Sequence, residues 1–172
     1  MKNITTLLMP ALFFSVMAAA PAAMADTATP QPTQSFGDWR LHCTEIAPGD
    51  KACALHQKLV SAQTKMPVAT FALARHKDSG ELRLTAILPL GLDIPVPITG
   101  KIGEGATFQY RLQTCLPRGC IASVAVDEAM LTGLRSAASF SVTFKMRAVQ
   151  QPTTFTVSLK GLNEGLTALD AK

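Results

Sequence analysis

The four cysteines of this chain fall into two close pairs, and each pair brackets a turn. Cys115 and Cys120 enclose Leu116, Pro117, Arg118 and Gly119. Proline presets the backbone for a tight turn and glycine relieves its exit, so the two cysteines face each other at the neck of a hairpin. Cys43 and Cys53 flank Ala47, Pro48, Gly49 and Asp50 in the same way. Four cysteines admit three pairings, and sequence alone does not fix one. The two hairpin necks favour Cys43 with Cys53 and Cys115 with Cys120. Closing loops this short is worth roughly 2 to 3 kcal/mol each on the chain-entropy account.

Around these turns the hydrophobic pattern has the period of a strand. Trp39, Leu41 and Cys43 point one way while Arg40, His42 and Thr44 point the other. Cys53 and Leu55 share the inner face, with Ala54, His56 and Lys58 outside. Pro67 to His76 is apolar on both faces, which suits a central strand. After a turn at Asp78, Ser79 and Gly80, the inward positions are Leu82, Leu84, Ala86 and Leu88. Phe108, Tyr110 and Leu112 continue the pattern into the second cysteine loop, and Phe140, Val142, Phe144 and Met146 give its clearest example. Phe155, Val157 and Leu159 follow after a turn at Gln150, Gln151 and Pro152.

Two short helices interrupt the strands. Asp127 is placed to cap one bearing Met130, Leu131 and Leu134, and Leu162, Leu166 and Leu169 have helical spacing near the end. Short one-sided strands with one or two short helices predict a mainly β, disulfide-stapled domain, an antiparallel sandwich or barrel-like fold. Pro89 to Gly105 breaks the regularity. Pro95 and Pro97 carry no N–H, so a strand here is predicted at a sheet edge. The sharper reading is an apolar recognition loop for a partner or lipid, presenting Ile94 and Val96; Leu116, Pro117 and Arg118 of the cysteine loop are also candidate interaction residues.

The amino terminus has the form of a secretory signal peptide: Lys2, an apolar run from Ile4 to Ala20, and the small-residue stretch Ala23, Met24, Ala25. Cleavage after Ala25 leaves 147 of the 172 residues and changes the net charge from +4 to +3. Residues 26–35 are polar and proline-bearing and are read as a flexible leader, with one domain over 36–172. The remaining charges are scattered, with no basic run interleaved with aromatics, which argues against nucleic acid as a partner. No later apolar stretch is long and proline-free enough to span a bilayer. A periplasmic or secreted protein is expected.

The chemical constellations are weak. His42, Cys43, Cys53 and His56 include C-x-x-H, but the strand period puts the histidines outside and the cysteines inside, so one tetrahedral metal site does not gather them. Neither cysteine spacing is the C-x-x-C of a reactive thiol pair. There is no G-x-S-x-G, and His76 sits in a turn. Asp127 and Glu128 are explained by helix capping. Trp39 shares the phase of Leu41 and is read as core. Lys58, Arg83, Arg111 and Arg147 are outward residues read as a solvated sheet face rather than a united basic patch. No catalytic residue, cofactor or metal is assigned.

The order of F-G-D-W at Phe36 to Trp39, C-A-L-H-Q at Cys53 to Gln57, L-P-L-G at Leu88 to Gly91, C-L-P-R-G-C, and S-L-K-G-L at Ser158 to Leu162 resembles the invasion-associated locus B family of bacterial exported proteins. The likeness covers about Phe36 to Leu169. It implies an envelope or secreted protein with a β-sandwich-like domain and no known enzymatic activity, in a family named for host-cell invasion. What carries over is the cysteine pattern, with Gly119 and Gly161. Leu162 stands where an aromatic is expected. The sequence thus points to a non-enzymatic protein that binds an envelope or host component. The alternatives are a thiol-active or otherwise enzymatic periplasmic protein, and a small-ligand carrier.

Overall fold

The computed structural model describes residues 33–172; the signal peptide and most of the leader lie outside them. The chain forms β1 (Gln34–Phe36), β2 (Trp39–Ala47), β3 (Asp50–Val60), β4 (Pro67–Arg75), β5 (Leu82–Leu88), β6 (Ile98–Ile102), β7 (Thr107–Leu116), β8 (Gly119–Ala125), α1 (Glu128–Ser136), β9 (Ser139–Phe144), β10 (Thr153–Ser158) and α2 (Leu162–Asp170). All ten strands join one antiparallel sheet in the order β1-β2-β3-β4-β5-β8-β7-β6-β9-β10. The sheet is open, with β1 and β10 as its edges, and it curls so that its two halves pack face to face. Phe71 of β4 meets Phe140 of β9 edge-on, with ring centroids 5.7 Å apart.

The period-two reading holds along the core strands. Trp39, Leu41, Leu55, Phe71, Leu73, Leu84, Ala86 and Leu88 are all buried on the inner face, against Phe140, Val142 and Phe144 from the other half. β4 lies between β3 and β5, the central place its two-sided apolar pattern predicts. Asp127 caps α1, its carboxylate accepting from the Met130 N–H at 2.7 Å. Met130 and Leu134 turn inward, as do Leu162, Leu166 and Leu169 of α2.

Both cysteine pairs form disulfides across adjacent strands. Cys43 faces Cys53 and Cys115 faces Cys120 in the strand registers, and each pair is bonded. The turns between them are Pro48–Gly49 and Pro117–Arg118, two residues each. Replacing Cys115 and Cys120 together by alanine is expected to cost roughly 2 kcal/mol, the loop-closure entropy of so short a ring. A lower urea midpoint at unchanged slope in equilibrium unfolding is the check.

Two boundaries differ from the sequence reading. The first described strand begins at Gln34, so the last two leader residues pair with β2 rather than hanging free. The segment around Pro95 and Pro97 is not an edge strand. Both prolines lie in the turn before β6, and β6 itself is interior, hydrogen-bonded to β7 on one side and β9 on the other. The missing N–H groups are accommodated by starting the strand later, at Ile98, not by moving it to the rim.

The ends of the domain lock together. The Asp38 N–H donates to the Lys160 carbonyl at 3.1 Å, and the Trp39 indole N–H donates to the Ser158 carbonyl at 3.0 Å. Gln57, buried on β3, bonds the same residue twice, its amide donating to the Ser158 carbonyl and its carbonyl accepting from the Ser158 N–H. Gly37 and Gly161 both have positive φ and pass so close that a side chain on either meets the other's backbone segment.

Candidate functional site

The two surfaces of the fold where strands turn around differ in chemistry. Arg75–Asp170, Lys77–Asp50, Arg83–Glu81 and Lys101–Glu104, the ion pairs of the described residues, all lie where β4 and β6 end and β3 and β5 begin. The opposite side carries the connections 61–66, 89–97, 117–118 and 145–152. Of the eight large apolar side chains exposed among the described residues, Val60, Met66, Leu90, Ile94, Val96, Leu116 and Val149 are on this second side, and Ile46 alone is on the first.

Three of these connections touch. Gly119 packs on the Leu88 carbonyl, which sets the cysteine hairpin against the start of segment 89–97. Leu92 bridges to Met146, the Asp93 N–H donates to the Lys145 carbonyl at 2.9 Å, and the Arg147 N–H donates to the Gly91 carbonyl at 2.9 Å. The predicted recognition residues are thereby brought to one side. Ile94 is 67% exposed and Leu116 50%, with Val96, Pro117 and Arg118 also exposed.

Between segment 92–98, β7 at 109–112 and the end of β9 lies a pocket of about 260 Å³. It exists because β6 begins only at Ile98, opposite Tyr110, while β7 runs on to Leu116 with β8 as its remaining partner. Tyr110 lines this pocket, is 3% exposed, and its hydroxyl has no hydrogen-bond partner among the described residues. Burial pushes its pKa well above the ordinary phenol value, so it remains a neutral donor. Sequence reasoning assigned Tyr110 to the core and missed the hydroxyl. The signal available was a phenol at an inward position with no polar residue in phase beside it.

The other candidate groups disperse. Cys43 and Cys53 are spent in a disulfide, and His42 and His56 sit on the outer face of β2 and β3. Arg83 and Arg111 flank the nearly buried Ser123, but Arg83 is held by Glu81 at 2.8 Å. Lys58 is opposite Thr70, and Arg147 is in the β9–β10 connection, so the four cations form no patch.

His56 has a pKa below its ordinary value, first because burial disfavours the cation, then because His42 and Lys58 are near. The unfolded chain therefore takes up this proton more readily than the folded one. Stability rises with pH through this window and is lost as pH falls below about 6.5 toward the depressed folded value. Urea midpoints between pH 7.5 and 5.5 are expected to fall with acidification, and His56→Gln to flatten that slope.

The profile of a family described as Invasion associated locus B (IalB) protein matches residues 39–170. The chain belongs to the IalB family. Two curated Brucella abortus proteins, from strain 2308 and from biovar 1 strain 9-941, are named invasion protein B homologs. Each is 32% identical over 138 residues, 80% of this chain and 79% of its own length. The crystal structure of invasion associated protein b from Bartonella henselae superposes with a TM-score of 0.73 at 26% identity, covering 82% of this chain and 96% of that one. The IalB span takes in both disulfides, the Ser158–Gly161 junction and the whole turn surface with its pocket.

Proposed function

We propose that this IalB-family chain is an exported, non-enzymatic protein that binds another envelope or host component through the apolar turn surface. The observation that carries the reading is the segregation of exposed apolar side chains to one side of the sheet, opposite the ion pairs. Apolar side chains held exposed together, on a rigid frame and rimmed by polar groups, mark an interaction surface. The cysteine hairpin gives Leu116, Pro117 and Arg118 a fixed geometry, which lowers the ordering cost of binding.

Export is supported by the signal-peptide pattern and by two disulfides, which persist in oxidising compartments. Among the described residues no helix is long and apolar enough to cross a membrane. A role in invasion is supported by the names of the Brucella and Bartonella relatives.

The test is crosslinking in intact cells with tagged protein, comparing wild type with Ile94→Asp/Leu116→Asp. Both residues are exposed, so the variant keeps its core. A discrete partner recovered with wild type and lost with the variant is expected. An identical set of crosslinks from both proteins refutes the surface, and no crosslinks from either refutes the binding role.

A further inference from the structure

We infer that the turn surface seats the protein on a lipid bilayer carrying anionic headgroups, its exposed aliphatic side chains entering the interface and its cations lying against the phosphates. The inference rests on the turn-surface reading and names what that surface lies against.

Charge carries it furthest. The connections 61–66, 89–97, 117–118 and 145–152 hold Lys65, Arg118, Lys145 and Arg147 but a single acid, Asp93. Over residues 26–172 the other eleven cations are matched by eleven acids, so the whole formal charge of +3 sits on this side. None of the four cations is ion-paired among the described residues, whereas the ion pairs all lie on the opposite side. Lys65, Arg118 and Arg147 are exposed, and Lys145 donates to the Gln150 carbonyl at 3.1 Å rather than to an acid. A molecule polarised in this way is both attracted and oriented by a negatively charged plane.

The apolar side chains suit the same plane. The seven exposed on this side are aliphatic or, at Met66, a thioether, and none is aromatic. Protein interfaces concentrate their energy in Trp, Tyr and Arg anchors seated in pockets, with Leu and Val under-represented. The headgroup and acyl-chain boundary takes aliphatic tips of any shape, several at once, and its hold grows with buried apolar area together with attraction to anionic lipid. Apolar tip and cation also come together in the chain: Met66 follows Lys65, Leu116 is two residues from Arg118, and Val149 is two residues from Arg147. The disulfide beneath Leu116 and Arg118, and the backbone bonds joining segment 89–97 to 145–147, hold these pairs on a fixed frame.

The test is sedimentation of the mature protein with vesicles of phosphatidylcholine alone and of phosphatidylcholine mixed with phosphatidylglycerol. Binding to the anionic vesicles is expected to be at least roughly tenfold tighter than to the neutral ones, with the difference lost at high salt. Arg118→Gln/Arg147→Gln is expected to weaken it about thirtyfold, about fivefold for each cation taken from an anionic surface. Lys51→Gln/Lys77→Gln removes the same charge from the ion-paired side and is expected to leave binding within about twofold. Ile94→Asp/Leu116→Asp is expected to abolish it. Equal binding to both kinds of vesicle, binding to neither, or equal losses from the two charge variants would each overturn the bilayer. A crosslinked protein lost from Ile94→Asp/Leu116→Asp without any vesicle binding keeps the surface and overturns the lipid. Vesicle binding with no crosslinked protein leaves the bilayer as the occupant.

Discussion

Trp39→Ala is expected to destabilise the domain by about 3–5 kcal/mol, a large part of what a domain of this size commands. The indole is fully buried at the start of β2, and its N–H reaches across the sheet to the Ser158 carbonyl at 3.0 Å. Alanine removes the ring and leaves a cavity where the two halves of the sheet meet. Trp39→Phe separates the contributions, because it keeps most of the apolar volume and the Ser158 carbonyl still accepts from Gln57. That variant is expected to lose roughly 1–2 kcal/mol. Equilibrium urea unfolding of the two variants measures both. Equal losses would make the hydrogen bond, rather than the packing, the dominant contribution.

Gly161→Ala is the second large effect, expected at roughly 3 kcal/mol. Gly161 has φ +84°, which an L side chain adopts at a cost of its own, and a Cβ there overlaps the Phe36 carbonyl and crowds the Gly37 N–H. No flexible side chain is available to move aside, since the obstacle is backbone. Gly80→Ala is the matched control. Its φ is +68°, but nothing lies within 4 Å of the added methyl, so only the backbone preference is lost, about 1–2 kcal/mol. A thermal melt of the pair, with Gly161→Ala the lower by a clear margin, is the expected result.

The strands were legible because their burial alternates and because the turns carry proline and glycine at positions where backbone geometry demands them. Cys43 opposite Cys53 and Cys115 opposite Cys120 followed from those turns, and the registers agree. Pro95 and Pro97 misled in one respect. A proline excludes a ladder bond at its own position, and an edge is one remedy, but a later strand start is another, and local sequence does not distinguish them.

The candidate site was half legible for a similar reason. Ile94, Val96 and Leu116 announce themselves as apolar residues among turn formers. Val149 and Leu90 join them only because β9 and β5 end on the same side of the sheet. The meeting of segments 89–97 and 145–152 beside one pocket depends on the β8-β7-β6-β9 strand order, which no local pattern encodes. The first and last motifs of the family resemblance, F-G-D-W and S-L-K-G-L, gained a physical meaning from the fold: they are the two halves of one junction.

That junction also sets a timetable. A chain made from its amino end presents Trp39 and Gly37 long before Ser158 and Gly161 exist, and the indole's hydrogen-bond partner is 119 residues away. Contacts so distant in sequence are slow to form, since the closure entropy is spent before they reward it. The early hairpins, each held by its own local cysteine pair, can assemble first and wait. Completion then hinges on the last two dozen residues, so a nascent or truncated chain ending before β10 remains an unlatched sheet with β9 bare at its edge.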